Sequence, residues 1–131
     1  MTDNILIIER NPTLREELTS VLRKAGFEVV NVPDYPEGLP KLDEFKPDIA
    51  ILDQVLVDGD GGGACYQLLR AIGVPIILLG NDSSAEGWAK AVEVDADLSL
   101  KKPFSYLELV ARVKAILRRY KGTTPAGKGT R

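Results

Sequence analysis

No histidine occurs anywhere in this sequence, which removes His-based acid–base catalysis, imidazole metal ligands and phosphohistidine chemistry together. A phosphoryl group relayed through the chain would have to rest on a carboxylate. The single cysteine, Cys65, excludes an internal disulfide and makes a zinc cluster implausible, so packing is its expected role. No apolar run approaches the roughly 20 residues of a membrane span. The opening Met1-Thr2-Asp3-Asn4 is acidic-polar and leads straight into a strand pattern, so no signal peptide is expected and a cytoplasmic location is the default. Acids also run out: after Glu108 there are none, while Arg112, Lys114, Arg118, Arg119, Lys121, Lys128 and Arg131 follow. This imbalance has two readings, a basic stem that helps an attached module approach DNA, or a solvated helix face with a soluble tail. Only Tyr120 interleaves an aromatic with these cations, which favours the second.

What is present is ordinary for one soluble globular domain: 131 residues, 44% hydrophobic and 27% charged, with a net charge of −2. Strand and helix signals alternate from end to end. Strands are expected near Asn4–Ile8, Phe27–Val32, Asp48–Asp53, Pro75–Gly80 and Asp97–Lys101. Runs such as Ile5-Leu6-Ile7-Ile8 and Ile76-Ile77-Leu78-Leu79 are apolar on both faces, as a parallel sheet covered on both sides requires. The first helix pattern starts at Asn11-Pro12, carries Leu14, Leu18, Val21, Leu22 and Ala25 on one stripe, and stops at Gly26. The sequence therefore predicts an α/β fold, a doubly wound five-stranded parallel sheet with function at the carboxyl ends of its strands.

Two helices look irregular. Pro36, Gly38 and Pro40 crowd the second, and an interior proline costs roughly 3 kcal/mol, so it is expected to be short or to begin only at Pro40. The third follows Gly59-Asp60-Gly61-Gly62-Gly63 and is expected to start loosely. These glycines lie too far beyond the strand for a dinucleotide fingerprint, and no Gly-Lys-Ser/Thr accompanies them. The folded domain is expected over residues 1–120. Residues 121–131 read as an interdomain linker or disordered end, with any effector domain outside these 131 residues.

Three strand ends carry the chemistry. The first runs Ile8-Glu9-Arg10-Asn11. The second ends at Asp53 and continues Gln54-Val55-Leu56-Val57-Asp58-Gly59. The third closes with Lys101-Lys102-Pro103-Phe104. Together with Leu107-Glu108-Leu109-Val110-Ala111-Arg112-Val113-Lys114, they resemble the receiver domains of bacterial response regulators. The fold implied is the CheY-like, flavodoxin-like (βα)5 arrangement, and the last helix is similar to that of the OmpR/PhoB-type transcription factors. The resemblance implies Asp53 as phosphoacceptor, Lys102 as the phosphate-binding cation in a cis Lys-Pro, Glu9 as an acid of the pocket and Val55 as a backbone-carbonyl metal ligand. The acid that would bind Mg²⁺ directly falls on Arg10. The switch positions fall on Gly80 and Ser99, in place of a hydroxyl and an aromatic.

Charge counting adds to the resemblance. Three acids and a lysine would suit Mg²⁺, whereas Glu9 and Asp53 against Arg10 and Lys102 sum to zero without a metal. An Arg–Asp contact at about 4 Å is worth on the order of 4 kcal/mol at an effective dielectric near 20, before desolvation and entropy reduce it. Arg10 either lies over the strand ends, with no metal cofactor expected and Mg²⁺ disfavoured, or points to solvent. In the second case Glu9, Asp53 and Val55 would be the metal ligands.

The expected function is an atypical receiver of a two-component response regulator, not an enzyme. It would regulate an attached, DNA-binding module by dimerisation, with Mg-dependent phosphorylation weak or absent. The alternative is a working Asp53 phosphoacceptor in a phosphorelay, with Arg10 replacing the metal's charge. A dehalogenase-type phosphatase is set aside, because its second acid would fall on Val55. Implied partners are a sensor histidine kinase, DNA through an effector domain, and a second copy. The homodimer would form through the fourth helix, fifth strand and fifth helix, with Asp97, Glu108, Arg112 and Lys114 at interface positions. No membrane association is expected.

Overall fold

A computed structural model describes residues 2–53, 62–80 and 98–122. Val55, Asp97, the expected helix after Gly80 and the tail from residue 123 lie outside them, as does the side chain of Cys65. Five parallel strands, β1 (Asn4–Ile8), β2 (Glu28–Val32), β3 (Ile49–Asp53), β4 (Ile76–Gly80) and β5 (Leu98–Lys101), form one sheet in the order β2-β1-β3-β4-β5. Four helices are described: α1 (Pro12–Lys24), α2 (Tyr35–Glu44), α3 (Gly62–Ala71) and α4 (Tyr106–Gly122). The sheet is the one expected, and its bounds agree within a residue for the strands.

Strand alternation divides the core into two layers. Leu6, Ile8, Val32, Ala50, Leu52, Ile76 and Leu78 pack with Tyr35 of α2 and Leu69 of α3. On the other face Ile5, Ile7, Val29, Ile49, Ile51, Ile77 and Leu79 pack with Leu18 and Leu22 of α1 and Leu109, Val113, Ile116 and Leu117 of α4. The stripe on α1 is therefore as expected. Its start is capped by the Asn11 side chain, which accepts from the Leu14 N–H at 3.1 Å, and Gly26 just past its end has φ +101°.

Helix α2 corrects one of the two alternatives: it does not begin at Pro40 but runs over ten residues from Tyr35. Asp34 caps it, accepting from the Glu37 N–H at 3.0 Å, and Pro36 sits in the first turn, where a missing N–H costs nothing. Pro40 removes only the bond to the carbonyl four residues back, and packing supplies the compensation. Tyr35 is buried, and a Cβ at Gly38 would lie 2.7 Å from Ile8 Cδ1, so glycine lets α2 lie close against β1. Helix α3 begins inside the glycine run, at Gly62.

Candidate functional site

Parity and register bring the charged residues together. Glu9 follows Ile5 and Ile7, Asp53 follows Ile49 and Ile51, and Lys102 follows Leu98 and Leu100, all on the α1–α4 face. Ile8 pairs with Leu52, Asp53 with Leu79, and Gly80 with Lys101, so all three arrive at the same end of the sheet. That end is where the strand order reverses, between β1 and β3, which opens a crevice at the carboxyl ends.

The crevice, about 410 Å³, is lined by Glu9, Arg10, Asn11, Pro12, Leu14, Asp53 and Lys102. Glu9 is 1% exposed and Asp53 2%, so two carboxylates are buried at the strand ends. Lys102 Nζ donates to Glu9 Oε1 at 3.0 Å and lies 3.8 Å from Asp53 Oδ1. Arg10 Nε lies 3.7 Å from Asp53 Oδ2, while its side chain remains 58% exposed. Each oxygen of Asp53 thus faces a cation at ion-pair distance but beyond a hydrogen bond. The two orientations open for Arg10 merge: it reaches over the strand ends from a solvent-facing position. Among the described residues, no three Asp, Glu, His or Cys side chains converge.

Both carboxylate oxygens of Glu9 are hydrogen-bonded. Its Oε2 accepts from the Asn11 N–H at 3.0 Å, and its backbone carbonyl accepts from Arg15 at 2.8 Å. Burial pushes the Glu9 carboxyl above the ordinary carboxylate value; the Asn11 N–H and Lys102 pull it down, and Asp53 pushes it up. Burial wins. Asn11 and Arg15 as supports of Glu9 were missed by sequence reasoning, and the only signal was their place in the first turn of α1.

The remaining positions are more dispersed. Gly80 ends β4 beside the site, and its carbonyl accepts from the Lys102 N–H at 2.6 Å. The Lys102–Pro103 bond is cis. Ser99 is half-buried in β5 opposite Leu78 and does not line the crevice. Glu108, Arg112 and Lys114 are exposed on α4, where Glu108 and Arg112 pair with each other at 3.5 Å. Of the wide apolar arc expected there, core packing takes Leu109, Val113, Ile116 and Leu117, and Leu107 is left 83% exposed. At the start of α4, Tyr106 packs edge-on against Phe104 and donates to Glu17 of α1 at 2.6 Å. No helix among the described residues is long and apolar enough to cross a membrane.

Residues 5–114 match the family model described as the response regulator receiver domain. The DNA-binding response regulator MtrA of Mycolicibacterium smegmatis is 38% identical over 119 residues, which cover 91% of this chain and 52% of that protein. The sensory transduction protein RegX3 of Mycobacterium tuberculosis is 37% identical over 116 residues, covering 88% of this chain and 51% of that protein. The chain therefore spans about half the length of these relatives. Among solved structures, a response regulator from Chloroflexus aurantiacus superposes with a TM-score of 0.80 at 33% identity, covering 91% of this chain and 100% of the other. The BeF3-activated DrrB receiver domain gives 0.78 at 27% identity, covering 91% and 100%.

Proposed function

The chain belongs to the response regulator receiver domain family, and from that premise we propose that it is an atypical, non-enzymatic receiver whose strand-end pocket is neutralised by its own side chains. The observation that carries this reading is Arg10 against Asp53 at 3.7 Å, beside Lys102 against Glu9 at 3.0 Å. Two buried anions have two cations, and the site needs no further charge.

A magnesium ion does not fit the residues present. It favours near-octahedral oxygen coordination, whereas Glu9 is committed to Lys102 and the Asn11 N–H, and a guanidinium stands 3.7 Å from Asp53 Oδ2. A dication there would be repelled by Arg10 and Lys102. Without the metal, attack of the Asp53 carboxylate on a phosphoryl donor loses the strongest charge offsetting anion–anion repulsion. The output then rests on association. We assign homodimerisation to the face containing β5 and α4, with Glu108, Arg112 and Lys114 on its rim and Leu107 as surplus apolar surface. The dimer would act on an attached DNA-binding module, in a system that includes a sensor histidine kinase.

One observation favours a second reading: both Asp53 oxygens already face cations, Lys102 and Arg10, the arrangement that a phosphoryl group on Asp53 would need. Incubation with a small-molecule phosphodonor, with and without Mg²⁺ and read by intact mass, separates the two. The first reading expects no phosphoryl adduct under either condition. An adduct formed equally without Mg²⁺ establishes the second, and one that requires Mg²⁺ overturns both.

A further inference from the structure

We infer that Arg23 closes the outer edge of β2 against strand pairing with a second copy of the chain. The sheet runs β2-β1-β3-β4-β5, so β2 is an edge strand. The Glu28 N–H donates to the Asp3 carbonyl and the Glu9 N–H to the Val32 carbonyl, which fixes the ladder between β2 and β1. In a parallel ladder alternate residues bond to one neighbour, so Glu28, Val30 and Val32 turn their main-chain groups to β1. Val29, Asn31 and Pro33 turn theirs to the other side, away from the sheet.

An edge of this kind is a template for another strand. Phe27-Glu28-Val29-Val30-Asn31-Val32 suits such pairing, with three valines, a single charge and neither proline nor glycine. Two features oppose it. From the last turn of α1, Arg23 Nη2 donates to the outward Val29 carbonyl at 3.0 Å. An incoming strand would have to break that charge-assisted bond before it could form its own. Val29 is accordingly 4% exposed although it lies on an edge strand. Pro33, the next outward position after Asn31, has no N–H to offer. A cation in the last turn also suits the helix dipole, but Lys24 fills that role equally and serves as the control. The closed edge has a consequence for assembly, because two symmetric interfaces on opposite edges would link copies into an open chain. The homodimer proposed above uses β5 at the other edge, so closure of β2 keeps it finite. That consequence rests on the homodimer; the closure itself does not.

The test uses the 131-residue chain, with sedimentation velocity over a concentration series and amide hydrogen exchange read by NMR. Wild type is expected to go no further than a dimer. Arg23→Ala should strengthen association by about tenfold or more, because a symmetric pair frees two carbonyls. Its Val29 and Asn31 amides should exchange more slowly as concentration rises. Arg23→Met keeps the apolar stem without a donor and should behave alike, whereas Arg23→Lys keeps a cationic donor and should recover most of the closure. Lys24→Ala removes the same charge from the same turn and should stay within about twofold of wild type. Circular dichroism melts check that each variant is folded. Folded Arg23→Ala and Arg23→Met proteins that associate no more than wild type would overturn the assignment. So would association that leaves Val29 and Asn31 exchange unchanged, or an equal gain in Lys24→Ala. A wild type that stays monomeric counts against the homodimer alone, since the edge is read from the difference between the Arg23 variants and wild type.

Discussion

The strand-end crevice and the outer face of α4 each gather cations, and their fates are opposite. In the crevice Lys102 and Arg10 face two carboxylates that are almost wholly buried; on α4, Arg118 and Arg119 are exposed, with no acid at ion-pair distance among the described residues. The same residue types therefore do different work. A cation beside buried Glu9 offsets a desolvation cost of several kcal/mol, whereas an exposed one contributes little to stability and remains available to a partner.

The sharpest way to break this comparison is to remove one cation from each region. Lys102→Ala strands Glu9 with no counter-charge and should cost about 3–5 kcal/mol in urea unfolding at neutral pH. Arg119→Ala should fall within about 0.5 kcal/mol of wild type in the same measurement. Similar losses at both places would mean that the Lys102–Glu9 pair is effectively solvated.

A smaller effect is expected at Arg10, which is half in solvent. Arg10→Asp places a third acid beside Glu9 and Asp53 and should lower stability by on the order of 1–2 kcal/mol through repulsion. The new cluster should gain divalent affinity, so millimolar Mg²⁺ should raise the melting temperature of the variant by mass action and leave wild type unchanged. Equal Mg²⁺ stabilisation of both proteins would show that Arg10 does not stand in for the metal.

The smallest expected effect is a pH dependence. Burial raises the Glu9 pKa in the folded protein above its ordinary value of 4.5, so between 4.5 and that raised value the folded chain binds more protons than the unfolded chain. The contribution of Glu9 is then most favourable at low pH and declines as pH rises through the window. Glu9→Gln lacks this dependence. The stability of wild type relative to Glu9→Gln, from urea unfolding at steps between pH 4.5 and 7, should fall as pH rises. A flat difference would mean that Lys102 and the Asn11 N–H cancel the effect of burial.

Much of this was legible along the chain because parallel strands buried on both faces must read as continuous apolar runs, and Ile5–Ile8, Ile49–Leu52 and Ile76–Leu79 do. The ends of the first two runs located Glu9 and Asp53, since a charge ending a buried strand has to sit at the sheet's rim; Lys102 was located by Lys102-Pro103-Phe104 after the partly buried β5. Helix α2 was misread because proline's cost is local, whereas the compensation, Gly38 against Ile8 and buried Tyr35, comes from residues distant in sequence. The support of Glu9 by Asn11 and Arg15 was illegible for a related reason: side-chain direction at a strand-to-helix turn depends on backbone geometry.

The alternation of strands and helices, the sheet's two apolar faces and the residues at its carboxyl edge can be read along the chain, because periodicity and strand parity are properties of the chain. The sequence also put Arg10 and Lys102 at the same strand ends as the two acids, leaving open whether Arg10 turns inward. How they pair, Lys102 with Glu9 at 3.0 Å and Arg10 with Asp53 at 3.7 Å, emerges from the folded molecule, because pairing depends on the register of β1, β3 and β5 and on burial, which no local pattern encodes. The fold likewise decided which cations of α4 face outward, since that follows from which side of the helix the sheet covers.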